Sequence, residues 1–281
     1  MEIQRRFEAS GPAGPHNIAY MDWGDTDNPD VLFCVHGLTR NSRDFDSISK
    51  ALHEDRRVIC LDVAGRGDSD WLSNPEDYGY PQYMADALAL LGHLECERVD
   101  WLGTSMGGIL GMMIAALPDS PIKRLIVNDI GPFIPRTALK RISEYLSDRP
   151  AFPSLAAFET HLRTIHAPFG PLTNEQWHHL ATHSARQIGA GHWDFKYDPA
   201  IAIPFAEIAG QDIDLWDIWD AISCPTLLLR GENSDVLPRE TAKQAQTRGP
   251  RATVHQFDNI GHAPALMATE QIDCITNWLS G

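Results

Sequence analysis

Short runs of β-branched and apolar residues bounded by Gly, Asp or Asn recur along the chain. They fall at Val31–Val35, Val58–Val63, Val99–Leu102, Leu125–Val127, Thr226–Leu229 and Thr253–Phe257. Each is nearly continuous in apolar character instead of alternating, the pattern of strands covered on both faces in a parallel sheet. Helix-length stretches lie between them, at Asp44–Leu52, Gln82–Leu91, Met106–Leu117 and Arg239–Arg248. This strand–helix rhythm predicts an α/β fold with a mostly parallel central sheet and helices on both faces. Residues 5–10 and 17–23 read as a leading antiparallel hairpin that turns through Gly11 to Pro15.

The rhythm breaks at Gly131-Pro132 and resumes near Ile222. The predicted organisation is a core in two parts, 1–130 and 222–281, with 131–221 as a helical cap inserted between them. The insertion carries no convincing buried strand but many aromatics: Phe133, Phe152, Phe158, Phe169, Trp177, Trp193, Phe195, Phe205, Trp216 and Trp219. Two fates are open to them, lining a ligand pocket beneath a lid or packing the insertion's own core.

Composition narrows the function classes. Of 281 residues, 43% are hydrophobic and 22% charged, the balance of an ordinary globular chain. A net charge of −15 spread along the chain repels phosphate backbones and anionic headgroups, so neither nucleic acid nor a membrane surface is an expected partner. It also mildly disfavours an acidic substrate. Residues 1–10 lack an apolar stretch behind their two arginines, so no secretory signal is expected. The longest near-apolar run, Gly107–Leu117, is far short of the roughly 20 residues a membrane span needs, and reads as a buried helix.

Five cysteines (Cys34, Cys60, Cys96, Cys224, Cys274) form no CxxC pair, and three lie in or beside predicted strands. Free thiols in a reducing cytoplasm are the expectation. No metal is expected either, because no H-x-x-x-H spacing among the twelve histidines encloses a catalytic glutamate. The adjacent His178 and His179 read as part of a solvated helix face.

The candidate chemistry begins at Gly103-Thr104-Ser105-Met106-Gly107, a G-x-S-x-G run between a predicted strand and a predicted helix. In that setting the glycines permit a sharp, strained turn that exposes a serine hydroxyl above the sheet edge. A hydroxyl needs a base and an orienting acid to become a nucleophile. His262, in the loop after the last strand, is the candidate base. Asp235, after the strand ending at Leu229, is the first choice of acid, with Asp129, just past Val127, as the alternative. The backbone N–H groups of Met106 and of Leu38, in the loop His36-Gly37-Leu38-Thr39, are the expected oxyanion donors. His36 would pin that loop through backbone hydrogen bonds.

In order along the chain, these motifs and the run Asp62-Val63-Ala64-Gly65-Arg66-Gly67-Asp68-Ser69 resemble the α/β-hydrolase superfamily, in its serine-nucleophile branch with a helical cap. The resemblance spans almost the whole chain, although the cap matches only in position and helical character. It implies a structural role for Asp62, Gly65, Gly67 and Ser69, and no cofactor. It also disfavours dehalogenation and epoxide opening, whose enzymes carry aspartate where this chain has Ser105.

The implied activity is hydrolysis of small to medium carboxylic esters, aromatic or hydroxyacyl ones among them, through an acyl-enzyme. Alternatives are a lactonase or a C–C bond hydrolase, and a receptor-like binding protein on the same fold. The C–C reading would need a cationic cap side chain to hold a substrate carboxylate; Arg136, Arg141, Arg163 and Arg186 are the candidates, with a solvated helix face as the commoner fate.

Overall fold

The computed structural model describes residues 2–189 and 191–281. Strands β1 (Glu2–Gly11) and β2 (Gly14–Trp23) form the leading hairpin, longer than the apolar pattern alone suggested. There follow β3 (Val31–Val35), α1 (Asp46–Leu52), β4 (Arg57–Leu61), α2 (Tyr80–His93), β5 (Val99–Thr104), α3 (Met106–Ala115) and β6 (Ile122–Asn128). Strand–helix alternation returns with β11 (Thr226–Gly231), α9 (Arg239–Ala245), β12 (Thr253–Phe257) and α10 (Thr269–Ser280). Helix α10 was not among the predicted elements, although Ile272, Ile275 and Leu279 repeat at helical spacing and the last two are buried.

Eight strands build one sheet in the order β1-β2-β4-β3-β5-β6-β11-β12. β1 and β2 are antiparallel to each other and β2 to β4, whereas every pair from β4 to β12 is parallel. The continuous apolar runs follow from burial on both faces. Along β3, Val31, Phe33 and Val35 join the larger core with α2 and α3, while Leu32 and Cys34 join a second core with α1 and α10. All five cysteines are free, with Cys34 and Cys60 buried on neighbouring strands. No helix among the described residues is long and apolar enough to cross a membrane.

Between β6 and β11 lie α4 (Arg136–Ser147), α5 (Leu155–Ile165), α6 (Asn174–Ser184), α7 (Ala202–Ile208) and α8 (Trp216–Ala221). Short strands interrupt them. β7 (Phe133–Ile134) pairs with β10 (Ile213–Asp214), and β8 (Ala185–Ile188) pairs with β9 (His192–Phe195). The expectation of helices alone is corrected here, because two- and four-residue strands are too short to leave a readable alternation. Three of the aromatics pack on one another, Phe152, Phe158 and Phe195 meeting edge to face, and Trp219 is fully buried with its indole N–H on the Arg248 carbonyl.

Candidate active site

Ser105 sits between β5 and α3 at φ 50°, ψ −114°, a left-handed backbone that holds its hydroxyl out of the turn. The flanking glycines answer to close approach. A Cβ on Gly107 would fall 2.1 Å from the Val35 carbonyl oxygen, and one on Gly103 would fall 2.1 Å from that of Gly107. Helix α3 can therefore press against the sheet only without these side chains. Asn128 fixes the turn from the side: its carbonyl accepts the Ser105 N–H at 3.0 Å, and its amide donates to Thr104 Oγ1 and to the Pro264 carbonyl.

The Pro264 contact ties the loop after β12 to the turn, and His262 arrives with that loop. Its Nε2 lies 3.0 Å from Ser105 Oγ and its Nδ1 lies 2.8 Å from Asp129 Oδ2. Asp129 follows directly on β6, is fully buried and has φ 56°. Its carboxylate also accepts the Gly231 N–H at 2.7 Å and the Ser234 hydroxyl at 2.6 Å. Three donors thus fix its position and orientation.

Asp235 does not take the position expected of it. The turn after β11 directs Ser234 inward to Asp129, and the next side chain therefore points outward. Asp235 is 46% exposed and pairs with Arg141 of α4 through two bonds, at 2.6 and 2.9 Å. The carboxylate against His262 is that of Asp129, the alternative in the sequence reading.

Neither the Leu38 nor the Met106 N–H has a hydrogen-bond partner among the described residues, and both residues line the cavity that opens over Ser105. Met106 opens α3, so its amide belongs to the unsatisfied first turn, where the helix dipole adds positive potential. The loop that carries Leu38 is pinned by His36, whose Nδ1–H donates to the Gly37 carbonyl at 2.7 Å while Nε2 accepts the Val63 N–H at 3.0 Å. Burial pushes this imidazole down to about 3, so it stays neutral. Asp62 braces the same region by accepting the Ser42 and Asp68 N–H groups, and burial raises its carboxyl to about 6.

Arg66 is the functional-site residue that the sequence reading missed. It is fully buried, and no carboxylate forms a salt bridge with it among the described residues. Its Nε donates to the Leu38 carbonyl at 2.9 Å, and Nη1 donates to the Ala64 carbonyl and the Tyr83 hydroxyl. Nη2 faces Met106 Sδ at 3.8 Å. One guanidinium therefore contacts both residues whose amides face the cavity. The signal available in the sequence was an arginine inside a glycine-rich loop, which does not by itself distinguish a buried cation from a solvated one.

The cavity has a volume of about 370 Å³, within the range of small-molecule sites. Ser105 and His262 lie on its wall, and Ile134, Tyr145, Phe169 and Phe205 line it from the segment between β6 and β11. Phe169 and Phe205 are thus the two among the aromatics singled out that reach the cavity. Buried His166, stacked on Phe169 at 4.5 Å, also lines it, and desolvation holds its pKa well below the usual value.

Away from this site, His179 and His183 of α6 approach Asp46 of α1, with potential donor atoms within 4.8 Å of one another. His179 is therefore not simply part of a solvated face, and its Nε2 lies 3.0 Å from the Arg43 carbonyl. Asp46 is already held by the Arg43 guanidinium, and no ion is assigned to the cluster.

Residues 31–273 match the sequence model of the alpha/beta hydrolase family. The chain belongs to the α/β hydrolase family. It is 42% identical over 278 residues to a 3-hydroxybutyrate-oligomer hydrolase of Cupriavidus necator, covering 96% of this chain and 95% of that protein. An esterase of Mycobacterium tuberculosis is 29% identical over 259 residues, covering 88% and 80%. Among solved structures, a Rickettsia typhi protein superposes with a TM-score of 0.93 at 34% identity, over 100% of this hydrolase and 99% of that chain. An alpha/beta hydrolase of Novosphingobium aromaticivorans does so with a TM-score of 0.88 at 34% identity, over 99% and 98%.

Proposed function

We propose that this hydrolase cleaves carboxylic esters, with short linear oligoesters of 3-hydroxybutyrate and related hydroxy acids as its substrate class. The observation that carries the reading is the hydrogen-bonded chain from Ser105 through His262 to Asp129, opening into a closely sized cavity. The substrate class draws on the relative that is 42% identical along nearly its whole length.

In this reading Ser105 Oγ attacks the ester carbonyl while His262 Nε2 takes its proton. Asp129 holds the Nδ1–H tautomer and stabilises the imidazolium. The oxyanion is received by the Leu38 and Met106 amides, each worth about 2.7–4 kcal/mol in the transition state. His262 returns its proton to the departing alcohol. It then deprotonates water for attack on the acyl-enzyme, which releases the acid and restores Ser105. Residues 131–221 serve as the cap that closes the cavity, and the five free cysteines accord with a reducing cytoplasm.

The test is hydrolysis of the 3-hydroxybutyrate dimer and of p-nitrophenyl butyrate by purified protein. Turnover of both, abolished in Ser105→Ala, is the expected result. Turnover of neither substrate, or an unchanged rate in Ser105→Ala, contradicts the reading.

A further inference from the structure

We propose that Arg141 recognises a free carboxylate on the substrate, so that the preferred esters are those whose acyl or alcohol part ends in an acid. This rests on the ester-hydrolase reading and adds the feature that selects among esters.

Of the four arginines weighed between β6 and β11, Arg141 is the one that lines the cavity. Arg163 is paired with Glu159, Arg186 lies over the Trp71 ring and beside Asp194, and Arg136 is exposed away from the cavity wall. Two further cations reach the wall but are already committed. Arg40 is buried with its whole fork engaged, Nε and Nη2 on Asp44 and Nη1 on the Ser184 hydroxyl at 2.7 Å, and Arg66 is enclosed by Leu38, Ala64 and Tyr83. Arg141 retains 38% side-chain exposure.

Its bonding leaves a defined edge unused. Nε and Nη2 donate to the two oxygens of Asp235, which fixes the plane of the guanidinium, and Nη1 has no partner among the described residues. A guanidinium has five N–H donors in a rigid fork, so a second carboxylate can bind at Nη1 without displacing the first. The surroundings on α4 are apolar: Leu139 and Ile142 line the same wall. A charge-assisted hydrogen bond is roughly twice as strong as a neutral one.

The net charge of −15 does not oppose this. Exposed charges more than about 8 Å apart are largely screened at physiological ionic strength, whereas a contact pair is not. Of the other acids on the wall, Asp44 is neutralised by Arg40, and Glu76 and Glu207 are exposed. An oligoester of hydroxy acids carries one terminal carboxylate by its construction. It can place a reacting carbonyl at Ser105 and its acid at Arg141 within one cavity.

The experiment compares the 3-hydroxybutyrate dimer with the same dimer capped as its terminal carboxamide, a neutral molecule of nearly the same shape. kcat/KM is measured for both with the parent, Arg141→Gln and Arg141→Lys. The parent is expected to prefer the acid by about tenfold or more, the equivalent of one charge-assisted hydrogen bond. Arg141→Gln brings the ratio close to one by raising KM for the acid, and Arg141→Lys keeps part of the preference. Because the ratio is internal to each protein, a loss of folded enzyme does not alter it. A parent ratio near one, or a ratio unchanged in Arg141→Gln, overturns the proposal. A parent inactive on both dimers and on p-nitrophenyl butyrate refutes the ester reading itself and removes the premise.

Discussion

Asp129 and His262 are 133 residues apart in the chain and 2.8 Å apart in space. The sheet order produces this closeness. β6 lies between β5, which ends at the serine turn, and β11, so a side chain just past β6 stands beside the loop that delivers His262. Its two other donors, Gly231 N–H and Ser234 Oγ–H, come from the turn after β11, where an acid was first expected.

The two aspartates should respond differently to amidation. Asp129→Asn is expected to lower kcat on p-nitrophenyl butyrate by about 10⁴, because an amide beside Nδ1 favours the wrong imidazole tautomer. Asp235→Asn should remain within a few-fold of the parent on this neutral ester. Steady-state kinetics of the two variants side by side checks the assignment.

Arg66 is expected to act on kcat. Arg66→Met removes the bond that fixes the Leu38 carbonyl and the cation beside Met106. A misplaced oxyanion donor costs on the order of 10²–10³ in kcat, so a loss approaching that range is expected with little change in KM. Arg66→Lys retains the charge without the fork and should recover part of it. Separate determination of kcat and KM, with the melting temperature as a control for folding, checks this.

Packing at the serine turn makes Gly107 intolerant of a methyl group. The Cβ of Gly107→Ala would lie 2.1 Å from a backbone oxygen of β3, which cannot give way as a flexible side chain does. The expected cost is about 1–3 kcal/mol or more, with the turn displaced from His262. Urea unfolding of this variant against the parent measures it.

Stability should fall on mild acidification. His36, held to about 3, and His166, held well below its usual value, stay neutral in the folded chain while the unfolded chain protonates near 6.5. The unfolded state then binds more protons, so unfolding free energy drops as pH falls below about 6.5, by about 1.4 kcal/mol per pH unit for each such histidine. Asp62 opposes this. Its carboxyl, raised to about 6 by burial, binds a proton more readily folded than unfolded, which adds stability between about pH 6 and 4. His183, held to about 4 by burial, adds to the loss, and Asp46 and Asp86, also raised by burial, add to the opposition; between about pH 6.5 and 5 the three histidines outweigh the carboxyls and leave a net loss. Urea midpoints at pH 7 and pH 5 test the sign, and His166→Phe should remove about one proton from the slope.

Much of this was legible in the sequence because burial on both faces writes itself into composition. Val31–Val35 and Thr253–Phe257 coincide with their strands, and the glycines around Ser105 announce a turn that few other residues allow. The identity of the acid was not legible. Asp129 and Asp235 both follow a strand by a few residues, and the difference lies in which side chain of the turn after β11 faces inward, Ser234 or Asp235. Arg66 escaped for a related reason, since its burial depends on Tyr78 and Tyr83, whose rings close over it from elsewhere in the chain. The aromatics at cavity and core positions are chemically alike, so Phe205 and Phe158 could be told apart only in three dimensions.

The central claim is that Ser105 is a nucleophile activated through His262 and Asp129, and covalent labelling tests it most directly. Intact protein is treated with a fluorophosphonate, and mass spectrometry follows the adduct and its site. The account predicts one adduct, on Ser105, formed rapidly in the parent and in Asp235→Asn, far more slowly in Asp129→Asn, and absent in His262→Ala. An unlabelled Ser105 in the parent, or Asp129→Asn labelled as fast as the parent while Asp235→Asn is slow, would contradict it.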